Sequence, residues 1–323
     1  MEHPPKKLHI KTTLLKSPKM SRETGCNIYL KLENTQNSGS YKARGIGHYC
    51  QSAVKNGAKH LVCSSGGNAG LAAVFSANEL GVPCTVVVPT VTAKFMQERI
   101  ANEGGKVIPH GASWDEANQL AIEICKKEGG VLVHPFDGID IWQGHSTIVD
   151  EMVEELGKNI DLVILSVGGG GLFNGVIQGL ERNGLGQVPV LGMGTEGAQS
   201  FYECVTTGKH VTYNDLHSIA KTLSVKRVSD QTFEYIQKRG HVFARIVPDK
   251  LAVDACLKFA EDHKALVSPS AGASLAAVYD NIFKDLQTAG SIKKGALNVV
   301  VIVCGGSEIN VKQLEEWRIK FGL

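Results

Sequence analysis

Three stretches of the chain carry residue types that can do chemistry. Lys42 stands in Ser38-Gly39-Ser40-Tyr41-Lys42-Ala43-Arg44-Gly45. A lysine becomes a Schiff-base former when its amine gives up a proton more readily than in water, and burial or a neighbouring cation such as Arg44 pushes that way. An exposed lysine at a helix start reads the same when taken alone. Gly168-Gly169-Gly170-Gly171 follows the apolar run DLVILSV and opens the helical run LFNGVIQGL. Four residues without side chains let backbone N–H groups approach an anion, and the positive end of a helix adds to the attraction, so a phosphate cradle is expected. A tight strand–helix turn has the same composition. The Lys-Ser/Thr of a P-loop is missing, and the spacing does not fit GxGxxG with a downstream ribose acid, which argues against a nucleotide. Cys304 ends the run NVVVIVC and precedes Gly305-Gly306-Ser307; by itself it reads as one more buried thiol.

Such residues need elements to position them. Apolar runs predict strands at 27–32, 60–63, 84–88, 131–133, 161–166, 189–193 and 298–303. Most are apolar throughout rather than alternating, as strands are when helices cover both faces of a sheet. Helical patterns lie between them at Ala69–Leu80, Trp114–Lys127, Leu172–Arg182 and Ser270–Ile282. The expected class is α/β with largely parallel sheets. Glycine clusters follow three strands, at Ser64 to Gly70, at Gly168 to Gly171 and at Gly305-Gly306-Ser307. Ligands of open parallel sheets bind beyond the carboxyl ends of the strands, so the three loops are expected to share one crevice. No tandem repeat, low-complexity segment or Pro/Gly linker marks a domain boundary.

Composition narrows the function classes. The chain has 323 residues, 43% apolar and 20% charged, with a net charge of +2. That is ordinary for a globular protein and points to neither nucleic acid nor a membrane surface. The opening MEHPPKKLHIKTT has no apolar core of signal-peptide length, and no run is long enough to span a bilayer, so the cytosol is the expected location. Eight scattered cysteines without metal-ligand spacing are expected to be reduced core residues. His134, His145 and His263 read as packed or surface residues, and Asp115-Glu116 and Glu151 to Glu155 as helix-surface charge.

SGSYKARG, SSGGNAG, VGGGG and VIVCGGS, in that order, with HPFDGIDIWQGH and PSAGASLAAVY, resemble the serine/threonine dehydratase family of pyridoxal-phosphate (PLP) enzymes. The similarity runs from about Leu8 to the C-terminus and is nearest to the animal serine dehydratase and serine-dehydratase-like branch. It implies the two-lobed, tryptophan synthase β-like fold of fold-type-II PLP enzymes, with mostly parallel twisted sheets covered by helices. A small lobe at 35–138 would be inserted into a large PLP-binding domain of 1–34 and 139–323. Lys42 would hold the cofactor as an imine and move the Cα proton. Tyr41 would stack on the pyridine ring, where the family usually has Phe. Asn68 would bond the ring hydroxyl, and Ser65, Gly66, Gly67 and Asn68 would bind the substrate carboxylate. Gly168, Gly169, Gly170, Gly171 and Leu172 would hold the phosphate, and Cys304 would face the pyridine nitrogen. A neutral thiol there makes a weaker electron sink than a carboxylate would, which favours concerted elimination over racemisation. The implied reaction is β-elimination on L-serine, or L-threonine, through 2-aminoacrylate to pyruvate and ammonia, by a cytosolic homodimer.

The sequence departs from the family at several points. A Glu that helps bind a monovalent cation such as potassium is replaced by Gly194, with Glu196 two residues on; Ala198, Leu223 and Val225 match the backbone-carbonyl ligands. Ser268 replaces another acid, and Gly66 stands where dehydratases have Ala. Lys226, Arg227, Lys238, Arg239 and Arg245 make a basic stretch. One reading is a dehydratase of modest activity. A second is β-replacement, with an anionic sulfur or sulfonate co-substrate added to 2-aminoacrylate, resembling the vertebrate enzymes that make L-cysteate from phosphoadenylyl sulfate. A third is a PLP-binding protein without turnover. The basic run also reads as a solvated helix face.

Overall fold

The structure, a computed structural model, describes residues 7–323. The first six residues of the opening read above as no signal peptide lie outside it. In chain order the elements are β1 (Leu14–Lys16), α1 (Pro18–Thr24), β2 (Asn27–Lys31), α2 (Lys42–Lys55), β3 (Leu61–Cys63), α3 (Asn68–Leu80), β4 (Cys84–Val88) and α4 (Lys94–Asn102). They continue with β5 (Lys106–Pro109), α5 (Trp114–Glu128), β6 (Val131–Val133), α6 (Ile139–Leu156), β7 (Leu162–Ser166), α7 (Gly171–Arg182), β8 (Val190–Thr195) and α8 (Ser200–Thr207). The remainder is α9 (Asp230–Lys238), β9 (Val242–Val247), α10 (Asp249–His263), α11 (Pro269–Tyr279), α12 (Lys284–Thr288), β10 (Asn298–Ile302) and α13 (Val311–Phe321).

The chain divides into two compact units. One comprises Gln36–His145 with the described residues up to Lys11; the other comprises Thr12–Thr35 and Ser146–Leu323. Helix α6 carries the chain from the first to the second.

In the first unit four parallel strands lie in the order β5-β4-β3-β6. Side chains alternate across a strand, and two separate cores follow. Leu61, Cys63, Val86 and Val88 pack with Ile46 and Cys50 of α2, Leu71 and Val74 of α3, and Met96 and Ile100 of α4. Val62 and Val87 pack on the other face with Ala117, Ala121 and Ile124 of α5. Each fully buried Val, Leu or Ile contributes about 1.5–3 kcal/mol relative to exposure.

The second unit has the strand order β1-β2-β10-β7-β8-β9, with β1 antiparallel to β2 and every other pair parallel. Every residue of β7 and β8 is buried, as is α11 from Pro269 to Val278. Strands β10 and β7 are parallel neighbours, with Val301 beside Ile164. Their carboxyl ends are therefore adjacent, which sets the tetraglycine loop and Cys304 side by side. The loop at Ser64 follows β3, in the first unit.

Strands β1, β5 and β9 were not expected from the sequence, β1 being only three residues long with one of them buried. KVIP is short and half-exposed, and VFARIV alternates buried and half-buried residues around Arg245 instead of forming an apolar run. All eight cysteines are free, and all but Cys125 are buried. One expectation is corrected: Glu151 is no surface charge. It is only 7% exposed, and its Oε2 accepts from Lys31 Nζ at 2.6 Å. Lys31, fully buried at the end of β2, also donates to the Thr12 carbonyl at 2.7 Å, and the Thr12 hydroxyl donates to buried Glu33 at 2.6 Å. An acidic helix run hides this because the partner, Lys31, lies 120 positions away along the chain.

Candidate active site

In the first unit Lys42 is the first residue of α2, and its amine donates to the carbonyl of Pro135. Lys42 thus stands at the positive end of the helix, two residues before the fully buried Arg44. Lys42 Nζ is 5.0 Å from the centre of the Tyr41 ring, whose centroid lies 4.8 Å from the His145 imidazole. Two histidines flank this turn. His134 Nδ1 accepts from the Asp137 N–H at 2.8 Å and the Phe136 N–H at 3.3 Å. Burial first, and then Lys42, hold it down at about 4. His145 is held well below the ordinary histidine value, first by burial and then by Lys42, Arg44 and His9.

The loop after β3 comes close to the same lysine: Lys42 is an electrostatic neighbour of Cys63, whose thiol burial pushes up to about 12. The Ser64 hydroxyl donates to Asn118 Oδ1 of α5 at 2.7 Å, which ties down the loop's start. The Gly67 N–H reaches Ser65 Oγ at 3.4 Å. A Cβ on Gly70 would lie 2.0 Å from the Ser65 carbonyl, so the first turn of α3 closes directly onto the loop. Asn68, 7% exposed, begins that helix. Gly66 has little room, since its Cβ would meet Thr92 Cγ2 at 2.6 Å. The first turn of α3 and the Ser65 hydroxyl offer donors of the kind a carboxylate requires.

In the second unit the tetraglycine loop leads from β7 to α7, which begins at Gly171 with buried Leu172 next. A Cβ on Gly168 would lie 2.6 Å from the Thr222 carbonyl. Gly170 has left-handed backbone, φ +99°, and its Cβ would lie 1.8 Å from Thr232 Oγ1. The Ser229 N–H donates to the Gly169 carbonyl at 3.0 Å, bringing the start of α9 against the loop. Behind it three buried side chains satisfy one another. Asn174 Nδ2 donates to Ser229 Oγ at 3.1 Å, Thr232 Oγ1 donates to Asn174 Oδ1 at 2.8 Å, and the two hydroxyls are 2.9 Å apart. These three residues were missed in the sequence, as was His145, because each meets partners far away along the chain.

Cys304, 8% exposed, has its Sγ 3.6 Å from Ser166 Oγ at the end of β7. The Ser268 N–H donates to the Gly305 carbonyl at 3.2 Å, and a Cβ on Gly306 would lie 2.6 Å from the Leu266 carbonyl. Of the cation-ligand positions, Ala198 lies beside Gly194, whose Cβ would be 3.1 Å from the Ala198 carbonyl. The Leu223 carbonyl accepts from the Val225 N–H at 2.8 Å, and Leu223 Cα would be 3.2 Å from a Cβ on Gly168. Glu196 is exposed and supplies no carboxylate to Gly194.

The basic stretch does not gather into an anion site. Lys238 pairs with Glu234 one turn back on α9, and Arg227 bonds the carbonyl and ring of His210. Arg239 bonds Glu181 and the Val188 carbonyl, which precedes β8 and lies at the end of the strand opposite the glycine loop. Arg245 turns to the Ala244 carbonyl.

Taken separately, each unit offers parts that pyridoxal phosphate needs: an amine at the start of α2 in the first, and in the second a glycine cradle that side chains would fill, with a thiol at the end of β10. The comparisons agree. The profile of the family described as "Pyridoxal-phosphate dependent enzyme" matches residues 6–305. The chain is 45% identical over 317 residues to human "L-serine dehydratase/L-threonine deaminase", covering 98% of this chain and 96% of that protein. It is 45% identical over 314 residues to mouse "Serine dehydratase-like", covering 97% and 95%. Among solved structures it resembles the fungal L-serine ammonia-lyase from Rhizomucor miehei, with TM-score 0.90, 39% identity, and 98% and 100% of the two chains covered.

Proposed function

The chain belongs to the pyridoxal-phosphate-dependent enzyme family, with the α/β architecture of its fold-type-II members, and on that premise we propose a lyase that eliminates water from L-serine. The observation that carries the proposal is Lys42 at the first position of α2, its amine on the Pro135 carbonyl and Arg44 buried two residues on. L-threonine, with the same β-hydroxyl, is the second substrate by the names of the relatives. When bound, pyridoxal phosphate supplies the sink for electrons released at Cα.

The chain's own residues do the rest. Lys42 would carry the cofactor, and its amine would take the proton from Cα. Ser65 to Asn68 orient the substrate carboxylate at the positive end of α3, and Tyr41 and Asn68 fix the ring. Gly168 to Leu172 hold the phosphate on the first turn of α7. Cys304 would stand by the ring nitrogen, where a thiol holds a proton less strongly than a carboxylate and so would favour elimination over chemistry that needs a long-lived carbanion. The released 2-aminoacrylate hydrolyses to pyruvate and ammonia. In this reading residues 35–138 form the smaller, inserted lobe, the protein works as a cytosolic homodimer, and potassium is held weakly at Ala198, Leu223 and Val225.

The test is to incubate purified protein with L-serine and follow pyruvate and ammonia together. Equal amounts of both, lost entirely in Lys42→Ala along with the borohydride-stable cofactor adduct, are expected. Serine consumed without pyruvate, or only when sulfite or a sulfonate donor is present, overturns the proposal in favour of β-replacement.

A further inference from the structure

We propose that His145 is a positioning residue for Lys42, its imidazole closing the first turn of the helix that Lys42 begins and backing the Tyr41 ring. The proposal deepens the reading above and rests on Lys42 being the residue that carries the cofactor.

The first turn of any helix leaves N–H groups without intrahelical partners. Helices usually meet this with Ser, Thr, Asp or Asn at the N-cap, but α2 has Tyr41 there and no side-chain cap. The Ala43 N–H turns back to the Ser40 carbonyl at 3.2 Å and the Arg44 N–H to the Tyr41 carbonyl at 3.0 Å. The Gly45 N–H donates to His145 Nδ1 at 3.2 Å. A residue one hundred positions away thus does the work of a cap.

Glycines make this approach close. A Cβ on Gly45 would lie 2.5 Å from His145 Cε1 and 2.4 Å from the Ile141 carbonyl. One on Gly144 would lie 2.4 Å from the Arg44 carbonyl and 2.6 Å from Gly45 Cα. The start of α6 is seated directly on the first turn of α2, and the ring is wholly buried.

A neutral imidazole that accepts at Nδ1 carries its proton on Nε2. That Nε2 is buried with no hydrogen-bond partner among the described residues. An unsatisfied buried donor lowers stability, so packing alone would be better served by an apolar ring. What the histidine offers that an apolar ring lacks is the acceptor under Gly45. Burial, Lys42 and Arg44 keep the ring in the neutral form that accepts.

Three measurements test the proposal. Apoprotein is mixed with pyridoxal phosphate, the adduct is fixed with borohydride, and peptide mapping locates it. His145→Phe keeps a ring against Tyr41 but removes the acceptor; about tenfold slower adduct formation and about tenfold lower kcat, with KM within twofold, are expected. His145→Asn, whose Oδ1 can accept from Gly45, is expected within threefold of wild type in both. Adduct formation at the wild-type rate in His145→Phe overturns the proposal. Should that variant not fold, nitrogen-15 spectra of histidine-labelled wild-type holoenzyme decide: an unprotonated Nδ1 is expected, and a proton on Nδ1 overturns it. A wild-type adduct mapping elsewhere than Lys42 sinks the reading of Lys42 instead, while the tautomer still tells whether the cap exists.

Discussion

The space a side chain would take at Gly170 is already filled by Thr232, whose Oγ1 lies 1.8 Å from where a Cβ would stand. Thr232 cannot easily turn away, because the same hydroxyl donates to Asn174 Oδ1 and meets Ser229 Oγ. Backbone at φ +99° adds strain for any L side chain. Gly170→Ala is expected to lower stability by about 2–4 kcal/mol, combining backbone strain with overpacking. It should also weaken pyridoxal-phosphate binding by more than tenfold. Gly157→Ala is the control: φ is +61° there, but nothing lies within 4 Å of the added carbon. It should cost about 1 kcal/mol and leave cofactor affinity unchanged. Urea unfolding and cofactor titration read both, and equal effects of the two substitutions would remove the cradle argument.

The Lys31–Glu151 pair is a buried ion pair, 2.6 Å apart with the lysine side chain fully enclosed. Removing one partner strands a charge in the interior, whereas replacing both with apolar residues of similar size does not. Glu151→Leu alone is expected to cost about 3–5 kcal/mol. Adding Lys31→Met should recover at least half of that loss. A double variant as unstable as the sum of its parts would show that the two residues do not act as a pair.

Local runs were legible, and long-range partners were not. SGSYKARG, the tetraglycine and VIVCGGS are contiguous, so a lysine at a helix start, a strand–helix turn and a thiol at a strand end could be read from them directly. The alternating apolar strands and helices likewise gave the α/β class with parallel sheets. Thr232 meets Asn174 across 58 positions and Gly45 meets His145 across 100, and nothing in either neighbourhood marks the partner. Glu151 sits among other acids on a helix, and only the packing of α6 shows that it faces Lys31. Strand β9 was passed over because Arg245 interrupts its apolar pattern, although the strand completes the edge of the six-stranded sheet.

His134 gives a pH dependence with a definite sign. Its folded value, about 4, lies below the ordinary 6.5. Above pH 6.5 the ring is neutral both folded and unfolded, and contributes nothing to the pH dependence. As pH falls from 6.5 towards 4, the unfolded chain takes up a proton that the native site refuses, so stability falls. The loss per site is at most 1.4 kcal/mol for each pH unit across that window. His134→Asn can keep an acceptor for the Asp137 N–H and does not titrate. The stability difference between pH 7 and pH 5, from urea midpoints, should be smaller in the variant by about 1–2 kcal/mol. Parallel curves for the two proteins would show that His134 charges as freely folded as unfolded.

Restoring an acid at Gly194 tests the cation site. Gly194 is buried on β8, and a Cβ there would stand 3.1 Å from the Ala198 carbonyl, close enough that the carbonyl must give by a few tenths of an ångström. A glutamate at that position would add negative charge beside a carbonyl oxygen. Without a counter-ion this costs stability, because a buried carboxylate needs a partner. A monovalent cation supplies one, and binding to the folded state alone stabilises by about 1.4 kcal/mol when the cation stands at ten times its dissociation constant. Gly194→Glu is therefore expected to be less stable than wild type in tetramethylammonium chloride and to recover in potassium chloride at the same ionic strength. Wild type should change little between the two salts. Pyruvate formation from L-serine should follow the same pattern, rising with potassium only in the variant. If potassium shifts the melting temperature of both proteins equally, the loss of the acid at position 194 is not what sets cation affinity in this chain.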